Sequence, residues 1–210
     1  MDRSVLVVVS LLASSTSFAS LPPALDFGDA PDPTYPSLLA SDGASHDITT
    51  GGAYLGAQVD DELDGFSSLE ADGDDLDAFD DEDGVVFASE LLQGEVALVD
   101  VTASGATLLD AWIDFDANGS WEDAGEQIFT SEPLAAGVNS LDFSIPASAA
   151  LGNTYARFRC SSAGGLGPQG HALTGEVEDY LVLVPEPAGK SLGVAALLAL
   201  VSMAHRRQVA

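Results

Sequence analysis

Hydrophobic and polar residues alternate with a period of two along residues 94–184, which is the pattern of half-buried β-strands. Six segments carry this alternation: 96–101, 108–115, 127–130, 140–145, 154–160 and 177–184. Turn-forming residues separate the segments, and no helical period interrupts them. Short strands at this spacing are typical of an antiparallel sandwich or barrel. We therefore predict an all-β fold, an antiparallel β-sandwich of the jelly-roll or Ig-like kind.

The preceding part of the chain is less regular. Turn-forming residues recur through residues 20–95, and only 53–59 and 84–88 alternate well enough to predict strands. Neither a linker nor an internal repeat divides this part from the strands that follow. We therefore predict one domain over residues 20–183.

The first residues have the features of a secretory signal peptide. Arg3 supplies a positive charge, residues 5–13 are apolar, and Ser17-Phe-Ala19 matches a small-x-small cleavage pattern. We predict a signal helix removed after Ala19, so that residues 1–19 are absent from the mature protein. A buried first strand is the alternative.

Residues 184–210 carry a second targeting pattern. Val-Pro-Glu-Pro at 184–187 precedes an apolar segment at 191–204, predicted to be a helix, and a basic end at 205–207. This order resembles the PEP-CTERM sorting signal of Gram-negative bacteria. The resemblance implies transient anchoring in the inner membrane, processing by an exosortase, and delivery to the cell surface or the extracellular matrix. An unrelated C-terminal helix is the alternative.

The charge of the chain limits its partners. Among 210 residues there are 34 acidic and 6 Lys+Arg side chains, for a formal net charge of -28. All acidic residues except Asp2 and Glu186 lie within 20–183, where Arg157 and Arg159 are the only basic ones. Such a domain repels nucleic acids and anionic lipids, and it attracts cations or cationic partners.

A single cysteine, Cys160, excludes an intrachain disulfide. An exported domain with irregular loops then needs another stabilising element, and a bound metal ion would serve. We expect Cys160 to be a small core residue.

The strongest chemical signal is the segment 114–126, in which Asp, Asp and Asn alternate before a glycine and further acids follow. Ca²⁺ prefers six to eight oxygen ligands, and a short loop of this composition supplies them. The candidate ligands are Asp114, Asp116, Asn118, Ser120 through its backbone carbonyl, Glu122, Asp123 and Glu126. The alternative is a metal-free hairpin with Asn118-Gly119 as a type I′ turn.

A second acidic segment covers residues 72–83. Clustered carboxylates raise one another's pKa and destabilise the fold unless they are paired or bind a metal. A weaker Ca²⁺ site is predicted from some of Asp72, Asp74, Asp77, Asp81 and Asp83. The alternative is a solvated acidic loop.

The two arginines share one face of their predicted strand, as do Glu176 and Glu178 of the last strand. If these strands pair, Arg157 and Arg159 lie opposite the two glutamates. We predict that the resulting ion pairs fix the last strand.

Several separated stretches resemble the GEVED domain. The closing motif is complete at Gly175-Glu-Val-Glu-Asp-Tyr180. Four others occur in the same order before it, at 25–46, 81–85, 111–129 and 155–159. The resemblance implies a β-sandwich module of bacterial surface and secreted proteins, without an established enzymatic activity.

Together these features predict an exported, calcium-stabilised module with a structural or adhesive role at the bacterial surface or matrix. One alternative is a carbohydrate-binding module for matrix polysaccharide that stacks sugars on Trp112, Trp121 or Tyr54. A second is a glycoside hydrolase that uses two of the many acids. We expect no enzyme, because the sequence has no nucleophile elbow and no paired-histidine zinc pattern. Surface proteins are further candidate partners.

Overall fold

The computed structural model describes residues 24–73 and 82–187. Within these ranges the chain forms ten β-strands and one short 3-10 helix at Leu39–Ser41, and it forms no α-helix. The strands are β1 Leu25–Phe27, β2 Ser45–Asp47, β3 Val85–Phe87, β4 Val96–Ala103, β5 Thr107–Ile113, β6 Gln127–Leu134, β7 Gly137–Ser144, β8 Gly152–Ser161, β9 His171–Ala172 and β10 Glu176–Val184.

The strands form three sheets. A four-stranded antiparallel sheet has the order β10-β8-β5-β6, and a three-stranded antiparallel sheet has the order β3-β4-β7. A small sheet, β1-β2-β9, pairs β1 and β2 antiparallel and β2 and β9 parallel. The predicted strand at 53–59 is wrong, because only Leu55 forms an isolated bridge there, to Ala103.

The two larger sheets share one hydrophobic core. Alternate residues of β4 and β5 point into it, and Phe129 of β6 meets Phe143 of β7 edge to face at 5.9 Å between ring centroids. Aromatic pairs in this geometry add to the stabilisation that comes from burial alone. The structure thus confirms the prediction of an all-β, sandwich-like fold.

The opposite face of the four-stranded sheet is covered by the N-terminal segment, which we define as residues 24–47. Tyr35 and Ala30 of this segment pack with Trp112 and Trp121 in a second, smaller cluster. A sequence without clear periodicity is therefore ordered by contact with the sheet. Its polar backbone is satisfied by side chains that project from β8 and β10, described below.

The predicted pairing of arginines with Glu176 and Glu178 is wrong. In the β8–β10 register, Arg157 lies opposite Asp179 and Arg159 lies opposite Val177. Glu176 lies opposite Cys160 and Glu178 lies opposite Phe158. Successive residues of a strand project to opposite faces, so the glutamates lie on the other face of the sheet from the arginines. The observed register of β8 and β10 differs by one residue from the predicted one, and this difference replaces every predicted partner by a residue of the other face.

The predicted signal helix at 1–19, the apolar segment at 191–204 and the basic end at 205–207 lie outside the described residues. Strand β10 ends at Val184, which is buried, and Pro185-Glu186-Pro187 follows it directly. Among the described residues, no helix has the length and apolar character needed to cross a membrane.

Candidate metal centre

The 114–126 loop connects β5 to β6 at one end of the four-stranded sheet. Its ends are tied to the sheet by backbone hydrogen bonds, from Ile113 N–H to Glu126 O at 2.9 Å and from Asp114 N–H to Tyr155 O at 3.1 Å. Between them the backbone reverses through Ala117 and Gly119, whose φ angles are 55° and 87°. The strand ends thus fix the two acids that begin and close the loop.

Three of the predicted ligands converge. Asp114, Asp116 and Glu126 each present a carboxylate oxygen, and these oxygens lie within 4.8 Å of one another. Asp114 and Glu126 are buried, whereas Asp116 is exposed. The cluster therefore has two acids set in the protein and one at the surface, with access from solvent. Among the described residues it is the one acidic group with this geometry.

Asp114 is oriented from both sides. Its Oδ2 accepts hydrogen bonds from the Tyr35 hydroxyl at 2.5 Å and from Gly119 N–H at 2.8 Å. Its Oδ1 accepts a longer bond from Asn118 N–H at 3.2 Å. Hydrogen bonds of this kind fix the direction of a ligating carboxylate.

Glu126 is only half satisfied. Its Oε1 accepts N–H bonds from Phe115 at 2.9 Å and from Asp116 at 3.4 Å. Its Oε2 is buried and has no hydrogen-bond partner among the described residues. Burial, and then the nearby Asp114 and Asp116 carboxylates, raise the pKa of Glu126 to about 7. A cation would give Oε2 its missing partner and offset the repulsion, so the residues present fit a metal ion.

The other predicted ligands lie around this group. The Asn118 amide donates to Asp116 at 3.1 Å and to Asp123 at 2.8 Å, so it holds the two exposed acids together. The Ser120 hydroxyl accepts the N–H of Glu122 at 3.1 Å. The exposed side chain of Glu122 is not part of the converging group.

The alternative of a type I′ turn is wrong. That turn needs positive φ at both central residues, and Asn118 does not have it, whereas its neighbours Ala117 and Gly119 do. The loop instead curls around the Asp114 carboxylate.

A small cavity of about 160 Å³ adjoins the carboxylates. It is lined in part by Phe115, Asp116, Asp123, Glu126 and Ala149. Pockets that bury drug-sized ligands have volumes of about 300–1,000 Å³. The space beside the carboxylates is smaller than this and suits an ion with bound water.

The second predicted site is only partly within the described residues. Asp72 accepts a hydrogen bond from the Ser68 hydroxyl at 2.8 Å, and Asp83 accepts one from Ala57 N–H at 2.8 Å. Asp72 therefore serves a local turn, whereas Asp83 holds a segment that lies 26 positions earlier in the chain. Asp74, Asp77 and Asp81 lie outside the described residues.

The tryptophans are not available as sugar-stacking platforms. Trp112 and Trp121 are each 3% exposed, and the Arg157 guanidinium lies 4.5 Å from the centroid of the Trp121 ring. Stacking on a saccharide needs a free ring face, so these residues form core instead.

Sequence reasoning missed Tyr35 as part of the site. The residue belongs to the N-terminal segment, and its contact with Asp114 spans 79 positions of sequence. The only available signal was its place in the opening motif of the GEVED resemblance, which carries no information on this contact.

Residues 108–183 match the family model of the GEVED domain. The matched region runs from β5 almost to the end of β10, and it includes the whole 114–126 loop. No curated protein and no solved structure was found to match the chain.

Proposed function

We propose that this chain, with its GEVED domain, is an exported module that Ca²⁺ stabilises and that acts structurally or adhesively at a bacterial surface or matrix. The observation that carries the metal is Glu126, whose buried Oε2 lacks a hydrogen-bond partner among the described residues and whose carboxylate converges with those of Asp114 and Asp116. Ca²⁺ is favoured over Mg²⁺ because it accepts six to eight oxygens in flexible geometry, and the loop is rich in oxygen donors.

The residues of the loop would divide the work. Tyr35 and Gly119 hold Asp114, while the N–H groups of Phe115 and Asp116 hold Glu126. Asp116 closes the group from the solvent side. The ion supplies positive charge that offsets the repulsion among these acids, and it ties the ends of β5 and β6 together. An ion that binds only the folded state stabilises it by about 2.7 kcal/mol at a free concentration of 100 Kd.

Export is supported by the sequence at both ends. The signal pattern at 1–19 and the PEP-CTERM-like tail at 184–210 support a location outside the cytoplasm of a Gram-negative-type bacterium. The segment 191–204 would anchor the chain transiently in the inner membrane before exosortase processing. Matrix polysaccharide and surface proteins are the proposed partners, and the negative charge disfavours nucleic acid.

Thermal unfolding tests the metal. The midpoint is measured for the purified protein in EDTA, in millimolar Ca²⁺ and in millimolar Mg²⁺. We expect a rise of several degrees that is specific to Ca²⁺ and is mostly lost in Asp116→Ala. Equal midpoints in EDTA and Ca²⁺ would reject the site.

A cavity of about 580 Å³ is lined in part by Trp112, Trp121, Glu122 and Asp123, but both tryptophans are only 3% exposed there. The buried tryptophans remove two of the three stacking residues considered for a carbohydrate-binding module. The cavity beside Asp116 and Glu126 is small for a sugar ring with both neighbours in a chain. We therefore propose a non-enzymatic role.

A further inference from the structure

Tyr35 connects the metal loop to a part of the protein that lies outside the region matched by the GEVED family model. Its hydroxyl donates to Asp114 Oδ2 over 2.5 Å, and both residues are buried. The same oxygen accepts the N–H of Gly119, which lies within the loop. One carboxylate oxygen of the proposed site is therefore positioned jointly by the loop and by the N-terminal segment.

The ring of Tyr35 is held by aromatic side chains of the loop and the sheet. Its centroid lies 4.5 Å from that of Trp121 in the loop and 4.8 Å from that of Tyr155 in β8. Its backbone N–H donates to Pro31 O at 2.9 Å, within the N-terminal segment. A change in the loop that moves Trp121 or Asp114 must therefore move Tyr35 as well.

Several further polar anchors hold this segment, and one ion pair of the sheet supplies three of them. Asp179 accepts the N–H of Ala30 at 2.9 Å, and Arg157 donates to Pro36 O at 2.7 Å and to the Ser37 hydroxyl at 3.1 Å. These anchors lie on β8 and β10, and the Arg157 guanidinium also lies 4.5 Å from the centroid of the Trp121 ring in the loop, but neither residue hydrogen-bonds to a proposed ligand among the described residues. Tyr35 is thus the residue of the N-terminal segment that hydrogen-bonds to a proposed metal ligand, Asp114.

We propose that Tyr35 is a positioning residue of the metal site, and that Ca²⁺ binding at the 114–126 loop and docking of the N-terminal segment stabilise each other through it. This inference rests on the calcium site proposed above. Residues that orient metal ligands commonly affect affinity by about 10–100-fold when replaced. Coupling between two equilibria is reciprocal, so the ion must stabilise the docked segment by the same factor.

Tyr35→Phe and Tyr155→Phe form a matched pair for the test. Each removes one hydroxyl from the same aromatic cluster, but the Tyr155 hydroxyl donates to Leu69 O at 2.7 Å and does not contact Asp114. Calcium affinity is measured by calorimetry, and hydrogen exchange of residues 24–47 is measured with and without Ca²⁺. We expect Tyr35→Phe to bind Ca²⁺ about 10-fold or more weakly than wild type. Tyr155→Phe should bind with wild-type affinity.

Hydrogen exchange of the wild type gives a second readout that needs no variant. Ca²⁺ should slow exchange in residues 24–47, and Tyr35→Phe should lose most of this protection at an ion concentration that saturates its loop. Unchanged exchange in the wild type, or wild-type affinity in Tyr35→Phe, would overturn the proposal. A wild type that binds no Ca²⁺ at all would instead reject the metal site itself, so the two failures are distinguishable.

Discussion

Arg157 and Asp179 form a buried ion pair with two parallel hydrogen bonds, from Nε to Oδ1 at 2.7 Å and from Nη2 to Oδ2 at 2.6 Å. Both side chains are fully buried. The remaining Arg157 donor, Nη1, reaches the carbonyls of Pro36 and Pro168 at 2.7 Å each. The pair therefore joins β8 and β10 to the N-terminal segment and to the loop before β9.

Breaking this pair should destabilise the protein strongly. In Asp179→Asn the guanidinium of Arg157 loses its compensating charge while it stays buried, which typically costs about 3–5 kcal/mol. We expect a clear fall in the urea midpoint at pH 7. Asp142→Asn, on an exposed position of β7, removes the same charge and should change the midpoint little. Similar midpoints for the two variants would contradict the prediction.

Glu176 should make stability depend on pH. It is fully buried at the start of β10; its Oε2 accepts the N–H of Leu55, and its Oε1 has no hydrogen-bond partner among the described residues. Burial, and then the carboxylates of Glu178 and Asp26, raise the pKa of Glu176 well above its ordinary value of 4.5. The folded chain thus keeps a proton that the unfolded chain has released, so the free energy of unfolding falls as pH rises from 4.5 through the raised pKa.

Other buried groups titrate in windows that overlap that of Glu176. Glu126 acts with the same sign but only up to about pH 7, and His46, whose pKa burial lowers well below 6.5, acts only on the acid side of that value. The part of the decline in EDTA that is lost in Glu176→Gln is therefore assigned to Glu176. Glu176→Gln imitates the protonated acid and should flatten this decline. An unchanged slope above pH 4.5 in the variant would refute the assignment.

The ligand set of the metal loop can be tested by two substitutions of one type. Glu126→Gln removes a carboxylate of the converging group and should abolish most of the Ca²⁺-dependent rise in the unfolding midpoint. Glu122→Gln removes an exposed carboxylate that lies outside this group and should leave the rise almost intact. Calorimetric midpoints with and without Ca²⁺ decide between them. If the two variants lose the rise equally, general charge screening explains the effect better than a site.

Gly175, which opens the closing motif of the domain, should not tolerate a side chain. Its φ is 99°, and a Cβ there would lie 1.8 Å from the carbonyl oxygen of Cys160. Gly137, between β6 and β7, has a similar φ of 94° but open space around it. Gly175→Ala should therefore lower the unfolding midpoint much more than Gly137→Ala, whose cost is that of the backbone conformation alone. Equal losses would mean that steric contact contributes nothing.

The parts of the structure that the sequence predicted are local. Period-two alternation located β4 to β8 and β10, because one face of each strand enters the shared core. The 114–126 loop was recognisable because its three converging acids lie within 13 positions of one another. Since β5 and β6 are antiparallel neighbours, Asp114 after the end of β5 and Glu126 before the start of β6 lie close together.

The parts that the sequence did not predict depend on contacts between distant segments. The partners of Arg157 and Arg159 followed from a register that alternation does not specify, since it gives the faces of each strand but not their alignment. Arg159 in fact donates to His46 at 3.0 Å and to carbonyls of residues 167–170. The contact of Tyr35 with Asp114 could not be predicted for the same reason, because the two residues are 79 positions apart and only the folded chain brings them together.

Both arginines of the domain are buried, and no other Lys or Arg occurs between residues 4 and 189. Trypsin-like proteases cut only after these two residue types, so the folded domain presents them with no accessible cleavage site. Arg157 and Arg159 become accessible only when β8 separates from the segments packed on it. In an environment that contains trypsin-like proteases, the rate at which they cleave the domain is therefore limited by how often the domain opens.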